Sequence, residues 1–167
     1  DAAHFPADAT AIATVLPDEW AQSRPGHDGS VWYRASFDKP AGIGDDDLLA
    51  LYIERACSNL EVHLNGRRIY SDGRMSEPMT RNCYRPQLVN LPAALLNPQA
   101  NVLDIQVQGS ALTHVAVRAR AGGLSVLRIG PQAELSVLHA QREFWSITTV
   151  QIAAITLTAL GGFLLVL

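Results

Sequence analysis

LEVHLNGRRIY, residues 60–70, is the stretch whose reading decides the fold. Apolar and polar side chains alternate from Leu60 to Leu64, the period of a strand that buries one face. Asn65-Gly66 then tolerates positive φ at both positions, as a two-residue type I′ hairpin turn requires. Arg67 to Tyr70 returns as the partner strand. On this pattern Leu60, Val62 and Leu64 point inward, while Glu61 and His63 point outward as solvated groups. Asn65-Gly66 itself reads as turn chemistry alone.

The flanking segments carry the same signal. LLALYIER (48–55) is almost continuously apolar, the mark of a strand covered on both faces. VWYRASF (31–37) places Val31, Tyr33, Ala35 and Phe37 on one side, with Trp32 and Tyr33 read as core and edge aromatics. NVLDIQVQ (101–108) places Leu103, Ile105 and Val107 on one face, with Asp104, Gln106 and Gln108 on the solvated one. LVNLPAALLNP predicts a strand end and a short helical turn. HVAVRAR and LSVLRIG predict two more strands, separated by Gly122-Gly123. Residues 1–30 lack helical periodicity, and residues 71–87 form a long polar loop. About seven or eight short strands with almost no helix predict an all-β chain, solved as an antiparallel sandwich or jelly roll.

The last stretch departs from this pattern. FWSITTVQIAAITLTALGGFLLVL, residues 144–167, holds no charged residue and no histidine. As a helix it would reach roughly 36 Å at about 1.5 Å per residue, against a hydrocarbon core of about 30 Å. Phe144 and Trp145 open it where an interfacial aromatic belt would lie. A transmembrane helix is therefore expected over 144–167, cut short within the membrane, with residues 1–14 an N-terminal extension and 15–143 the folded domain. From Pro131 to Arg142 the chain is expected to run toward the membrane. The small-residue start DAAHFPADA resembles a mature end left by a cleaved export signal.

A net charge of −3 and a pI near 5.9 argue against a nucleic-acid partner. Five scattered histidines show no metal-ligand spacing, so neither a metal nor any other cofactor is expected. The patterns of nucleophile elbow, P-loop, zincin and EF-hand sites are missing, and the chain is not expected to be an enzyme within this segment. Cys57 and Cys83 fit an oxidising compartment, and Cys57 falls in a turn over which the 71–87 loop is placed. A disulfide between them is expected.

LYIERACSNLEVHLNGRRIYSDG and the later LLNPQANVLDIQV together resemble the galactose-binding-like jelly roll. The matching positions are Leu64-Asn65-Gly66, Asp72-Gly73 and Asn101-Val102-Leu103. Sugar-binding domains of family-2 glycoside hydrolases and many carbohydrate-binding modules share it, and in those glycosidases it is an accessory to a separate catalytic barrel. With TRNCYRP and a following span, the arrangement is similar to the extracytoplasmic sensor domains of bacterial seven-transmembrane receptors with diverse intracellular signalling modules. That resemblance implies an inner-membrane receptor with residues 1–143 in the periplasm, a histidine kinase or diguanylate cyclase output after Leu167, and a homodimer through the complete receptor. The alternative is a membrane-anchored carbohydrate-binding module serving a glycoside hydrolase or surface assembly.

The ligand, a carbohydrate or an anionic small molecule, is expected among Arg55, Asn59, Arg81, Asn82, Tyr84 and Arg85. Arginine and asparagine supply planar donors and tyrosine an aromatic platform. The same arginines can instead brace the loop by pairing with Glu54, Glu61 or Glu77, and both readings stand at this level.

Overall fold

The computed structural model describes residues 5–6, 10–44, 47–57, 59–75, 83 and 85–166. The strands are β1 (Asp18–Glu19), β2 (Gly29–Phe37), β3 (Leu49–Ile53), β4 (Ala56–Cys57), β5 (Asn59–Leu64), β6 (Arg67–Asp72), β7 (Gln87–Leu91), β8 (Asn101–Gly109), β9 (Gly123–Leu124) and β10 (Leu127–Pro131). The helices are α1 (Trp20–Ser23), α2 (Gln132–Glu143) and α3 (Thr149–Val166). A four-stranded sheet in the order β2-β8-β5-β6 packs on a three-stranded one, β10-β3-β7, with β1-β9-β4 as a small third sheet. Every pairing is antiparallel.

The expected inward residues fill the space between the two larger sheets. Leu60, Val62 and Leu64 of β5 meet Leu103, Ile105 and Val107 of β8 and Leu49, Leu51 and Ile53 of β3. Asn65 and Gly66 both have positive φ, as the hairpin demands. The Asn65 side chain does more than turn the chain. Its Nδ2 donates to the Leu95 carbonyl at 2.7 Å, and its Oδ1 accepts from the Val102 N–H at 2.8 Å, so the hairpin is tied to β8.

Trp20 locks one edge of the sandwich. It is fully buried, its Nε1 donates to the Tyr33 hydroxyl at 2.7 Å, and its backbone N–H donates to the Gly122 carbonyl at 3.2 Å. Tyr33 in turn donates to Asp18, which also takes hydrogen bonds from Ser23 and Arg24. Burial, then that bond to Asp18, holds the Tyr33 phenol far above its usual range. Gly109 and Gly122 leave room for the Trp20 ring, because a Cβ at either would lie within 2.4 Å of it.

Two expectations need correction. HVAVRAR forms no strand; residues Leu112–His114 and Arg118–Arg120 are single 3-10 turns. The Ser110 N–H donates to the Ala121 carbonyl at 2.8 Å, which folds the segment back on itself as a loop and leaves no extended partner for it. The stretch after Pro131 is not a connector but α2. Its Leu135 is buried with Ala50 and Tyr52 on the outer side of the β10-β3-β7 sheet. That is why β3 is buried on both faces: the core covers one and α2 the other.

α2 does not stop at residue 143. It continues through a π-helical turn, Phe144–Thr148, directly into α3. The widened turn leaves two carbonyls open to one hydroxyl, and Thr149 Oγ1 lies 2.8 Å from the Phe144 oxygen and 2.9 Å from that of Trp145. The expected boundary between domain and apolar tail thus falls inside one unbroken helix. Within it, Gln132–Gly162 is long and apolar enough to cross a membrane by length and composition. Ile155 and Leu157, which point to nearly opposite sides of the helix, are 69% and 70% exposed, so the described part of the sandwich covers neither.

Candidate functional site

The face of the four-stranded sheet away from the core is polar, and it is arranged in rows. Arg34, Asp104, His63 and Arg68 stand side by side across β2, β8, β5 and β6. Trp32, Gln106, Glu61 and Ser71 form the adjacent row. Residues 68 and 71 differ by an odd number and would fall on opposite faces of a regular strand. The register shift opposite Val62/His63 brings both to the same face.

Here the expected solvation of this face fails. Glu61, His63 and Asp104 are only 7%, 2% and 5% exposed. Long neighbours cover them. The Arg34 fork binds Asp104 through Nε at 2.6 Å and Nη2 at 2.8 Å. Arg68 and Ser71 each reach Glu61 Oε1 at 3.2 Å. Trp32 lies over His63 with ring centres 5.4 Å apart. The N-terminal extension adds a cover that sequence reading did not anticipate. Phe5 meets Trp32 edge-on, and the Arg34 guanidinium sits 3.7 Å from its ring centre.

His63 is the odd member. Its Nε2 is buried and has no hydrogen-bond partner, with Glu61 Oε2 too distant at 3.7 Å. Desolvation pushes the imidazole below its usual pKa, against the upward pull of Glu61, so at neutral pH the ring carries no charge. Each carboxylate of the face is engaged by a guanidinium. The arrangement offers fixed donors, fixed acceptors and an aromatic wall. It suits recognition of a hydroxyl-rich or planar polar ligand.

The residues singled out from sequence are not gathered into one site. Asn59 belongs to the polar face: it is fully buried, its Nδ2 donates to the Arg74 carbonyl at 2.5 Å, and its Oδ1 has no partner. Arg55 pairs with Glu19 at 2.7 Å, not with the acids proposed for it, because it leads into β4, which the small sheet joins to β1 through β9. Arg85 reaches Glu143 of α2 at 3.5 Å. Arg81, Asn82 and Tyr84 lie outside the described residues. Cys57 and Cys83 form the expected disulfide, both nearly fully buried. No group of three or more metal-ligating side chains occurs among the described residues.

Trp32, Arg34, Glu61, His63, Arg68 and Asp104 were missed as a set. The only signal within reach was the clustering of ionisable residues on the second face of two strands, which is also what a solvated sheet shows.

No family model matches the chain, and no curated protein does. Solved structures do. An FMN-binding β-glucuronidase from Faecalibacterium prausnitzii L2-6 shares 16% identity and superposes with a TM-score of 0.54, over 74% of this chain and 19% of the enzyme. A GH2 β-galacturonidase from Eisenbergiella tayi, bound to galacturonate, gives 16% identity and a TM-score of 0.50, over 71% of this chain and 20% of that one. The chain therefore spans about a fifth of the length of these enzymes. At such identity the likeness is one of fold: the chain carries a galactose-binding-like β-sandwich of the kind found as one part of GH2 glycoside hydrolases.

Proposed function

We propose that this chain is a carbohydrate-recognition module, anchored to a membrane by α3, that takes a hydroxyl-rich ligand on the polar face of its four-stranded sheet. The observation that carries the reading is the pair of ordered rows, in which Arg34, Glu61, His63 and Asp104 are held in place beneath Trp32 and Phe5. A sugar presents an apolar ring face and a rim of hydroxyls; Trp32 supplies a platform for the first and the rows supply partners for the second. No reaction step is assigned to the segment, whose role is binding. The disulfide fits an oxidising, extracytoplasmic setting such as the periplasm, and the uncharged run from Phe144 onward fits a span of a bacterial inner membrane.

The test is a glycan array of neutral and uronic-acid sugars, probed with the full chain in detergent micelles, alongside Trp32→Ala and Arg34→Gln. The expected result is retention of a sugar class that weakens about tenfold or more in each variant, the scale of one charge-assisted hydrogen bond, while the melting temperature holds. Retention of no sugar, or equal retention by the variants, would overturn the reading.

The unbroken passage from α2 into α3 favours a second reading, that the module is the sensor of a bacterial seven-transmembrane receptor with a histidine kinase or diguanylate cyclase output. A ligand would then have to bind two arrangements of that helix with different affinity. Cross-linking between copies through a cysteine at Leu160, with and without sugar, separates the readings: an anchor gives the same yield, a sensor does not.

A further inference from the structure

A second polar site lies far from the sugar face, at the junction of sandwich and apolar helix. Tyr52 and Glu54 at the end of β3, Arg128 of β10, and Leu138, Gln141, Arg142 and Trp145 of the long helix line an open groove. Arg142 is fixed there by an ion pair with Glu54 at 3.0 Å. Arg128 stands opposite Tyr52 in the β3–β10 ladder and has no acidic partner among the described residues. It leaves the groove with an uncompensated positive charge.

Tyr52 is 5% exposed, and its hydroxyl, at the groove, has no hydrogen-bond partner among the described residues. The phenol keeps its proton throughout the physiological range: desolvation, then Glu54, raises its pKa against the pull of Arg142 and Arg128. The groove thus brings a phenol O–H donor together with two guanidinium groups, a donor set that matches a phosphate monoanion.

Its height along the chain identifies the source of that phosphate. Arg142 precedes Trp145 by three residues, about 4.5 Å of helix rise, and the uncharged run begins at Phe144. Trp145 is itself part of the groove and is 67% exposed, as suits an indole lying at the level of lipid headgroups. We propose that this groove binds the phosphate of an anionic phospholipid, with Arg128, Arg142 and the Tyr52 hydroxyl as its ligands and Trp145 packed along the glycerol and upper acyl chain. The inference rests on the membrane anchoring proposed above.

The experiment is native mass spectrometry of the full chain released from detergent micelles loaded with phosphatidylglycerol or with phosphatidylcholine of identical acyl chains. Arg128→Gln, Tyr52→Phe and, as a control on the opposite sheet, Arg67→Gln are run in parallel. Phosphatidylglycerol should be retained over phosphatidylcholine by roughly fivefold, the worth of one basic side chain near an anionic surface. Arg128→Gln and Tyr52→Phe should each reduce that preference, Arg67→Gln should keep it, and millimolar inorganic phosphate should not displace the lipid. Equal retention of the two lipids, an undiminished preference in Arg128→Gln, or displacement by inorganic phosphate overturns the proposal. A chain that needs detergent yet shows no lipid preference refutes this groove alone, whereas a monodisperse chain without detergent refutes the anchoring on which it depends.

Discussion

Replacing Gly122 with alanine should damage the sandwich more than any other single methyl group tested on it. The added Cβ would lie 2.2, 2.5 and 2.8 Å from three atoms of the Trp20 ring. Relief requires the indole to retreat by more than about 1 Å to reach ordinary carbon contact. It cannot. Trp20 is fully buried, pinned at Nε1 by Tyr33, and backed by Gly109, where a Cβ would lie 2.3 Å from the same ring. Overpacking a closed core costs about 1–3 kcal/mol, and forcing a side chain into the positive-φ backbone at 141° adds about 1–3 kcal/mol more. The sum, about 4 kcal/mol, is a large share of the 5–15 kcal/mol of an ordinary domain. Urea titration followed by far-UV circular dichroism should show the midpoint falling by about 2 M with an unchanged slope. Gly26→Ala is the control, since a Cβ there meets nothing within 4 Å. A loss below about 1 kcal/mol for Gly122→Ala would refute the claim that Trp20 is immobile.

Two further outcomes follow from buried groups elsewhere. Replacing Cys57 and Cys83 together by alanine releases a loop whose ends are 26 residues apart; the chain-entropy model puts the loss at about 3.5 kcal/mol, and a double variant as stable as the parent in non-reducing urea titration would contradict it. His63, whose folded-state pKa is lowered by desolvation, is protonated first in the unfolded chain. Its contribution to stability is therefore complete above the ordinary histidine pKa of about 6.5 and is lost as the pH falls below that value. His63→Gln should flatten the stability profile between about pH 7 and pH 5; parallel profiles for parent and variant would show that the imidazole is not desolvated.

Much of the sandwich was legible because its signals are local. The alternation of Leu60, Val62 and Leu64, the Asn65-Gly66 turn and the uninterrupted LLALYI run each depend on neighbours within a few residues, and each forms the expected element. The polar face was misjudged for the opposite reason. Whether Glu61 and His63 are wet or dry depends on Trp32, Arg34 and Phe5, which come from other parts of the chain. Helix α2 escaped notice because Leu135 alone among its residues is buried, too narrow a stripe to register as a 3.6-residue period. Pro131, directly ahead of its first residue, and Glu134 in its first turn were the available clues. Arg55, Asn59 and Arg85 looked like one cluster because they are close in sequence or share a chemistry. The strands send them to β1, to the residue 74 backbone and to α2 respectively.

The unbroken helix from Gln132 to Val166 makes the apolar tail a shaft rather than a string. A flexible tether carries tension and no torque. This one, seated on the sheet by Leu135, also fixes the compass bearing of the polar sheet face about the helix axis. One residue inserted at the π-helical turn would swing that bearing by about 100° while lifting the sandwich by only about 1.5 Å. Seven inserted residues would nearly restore the bearing at a height greater by about 10 Å. For two copies with their long helices side by side, such insertions would decide whether the polar sheet faces look toward one another, apart, or along the same heading.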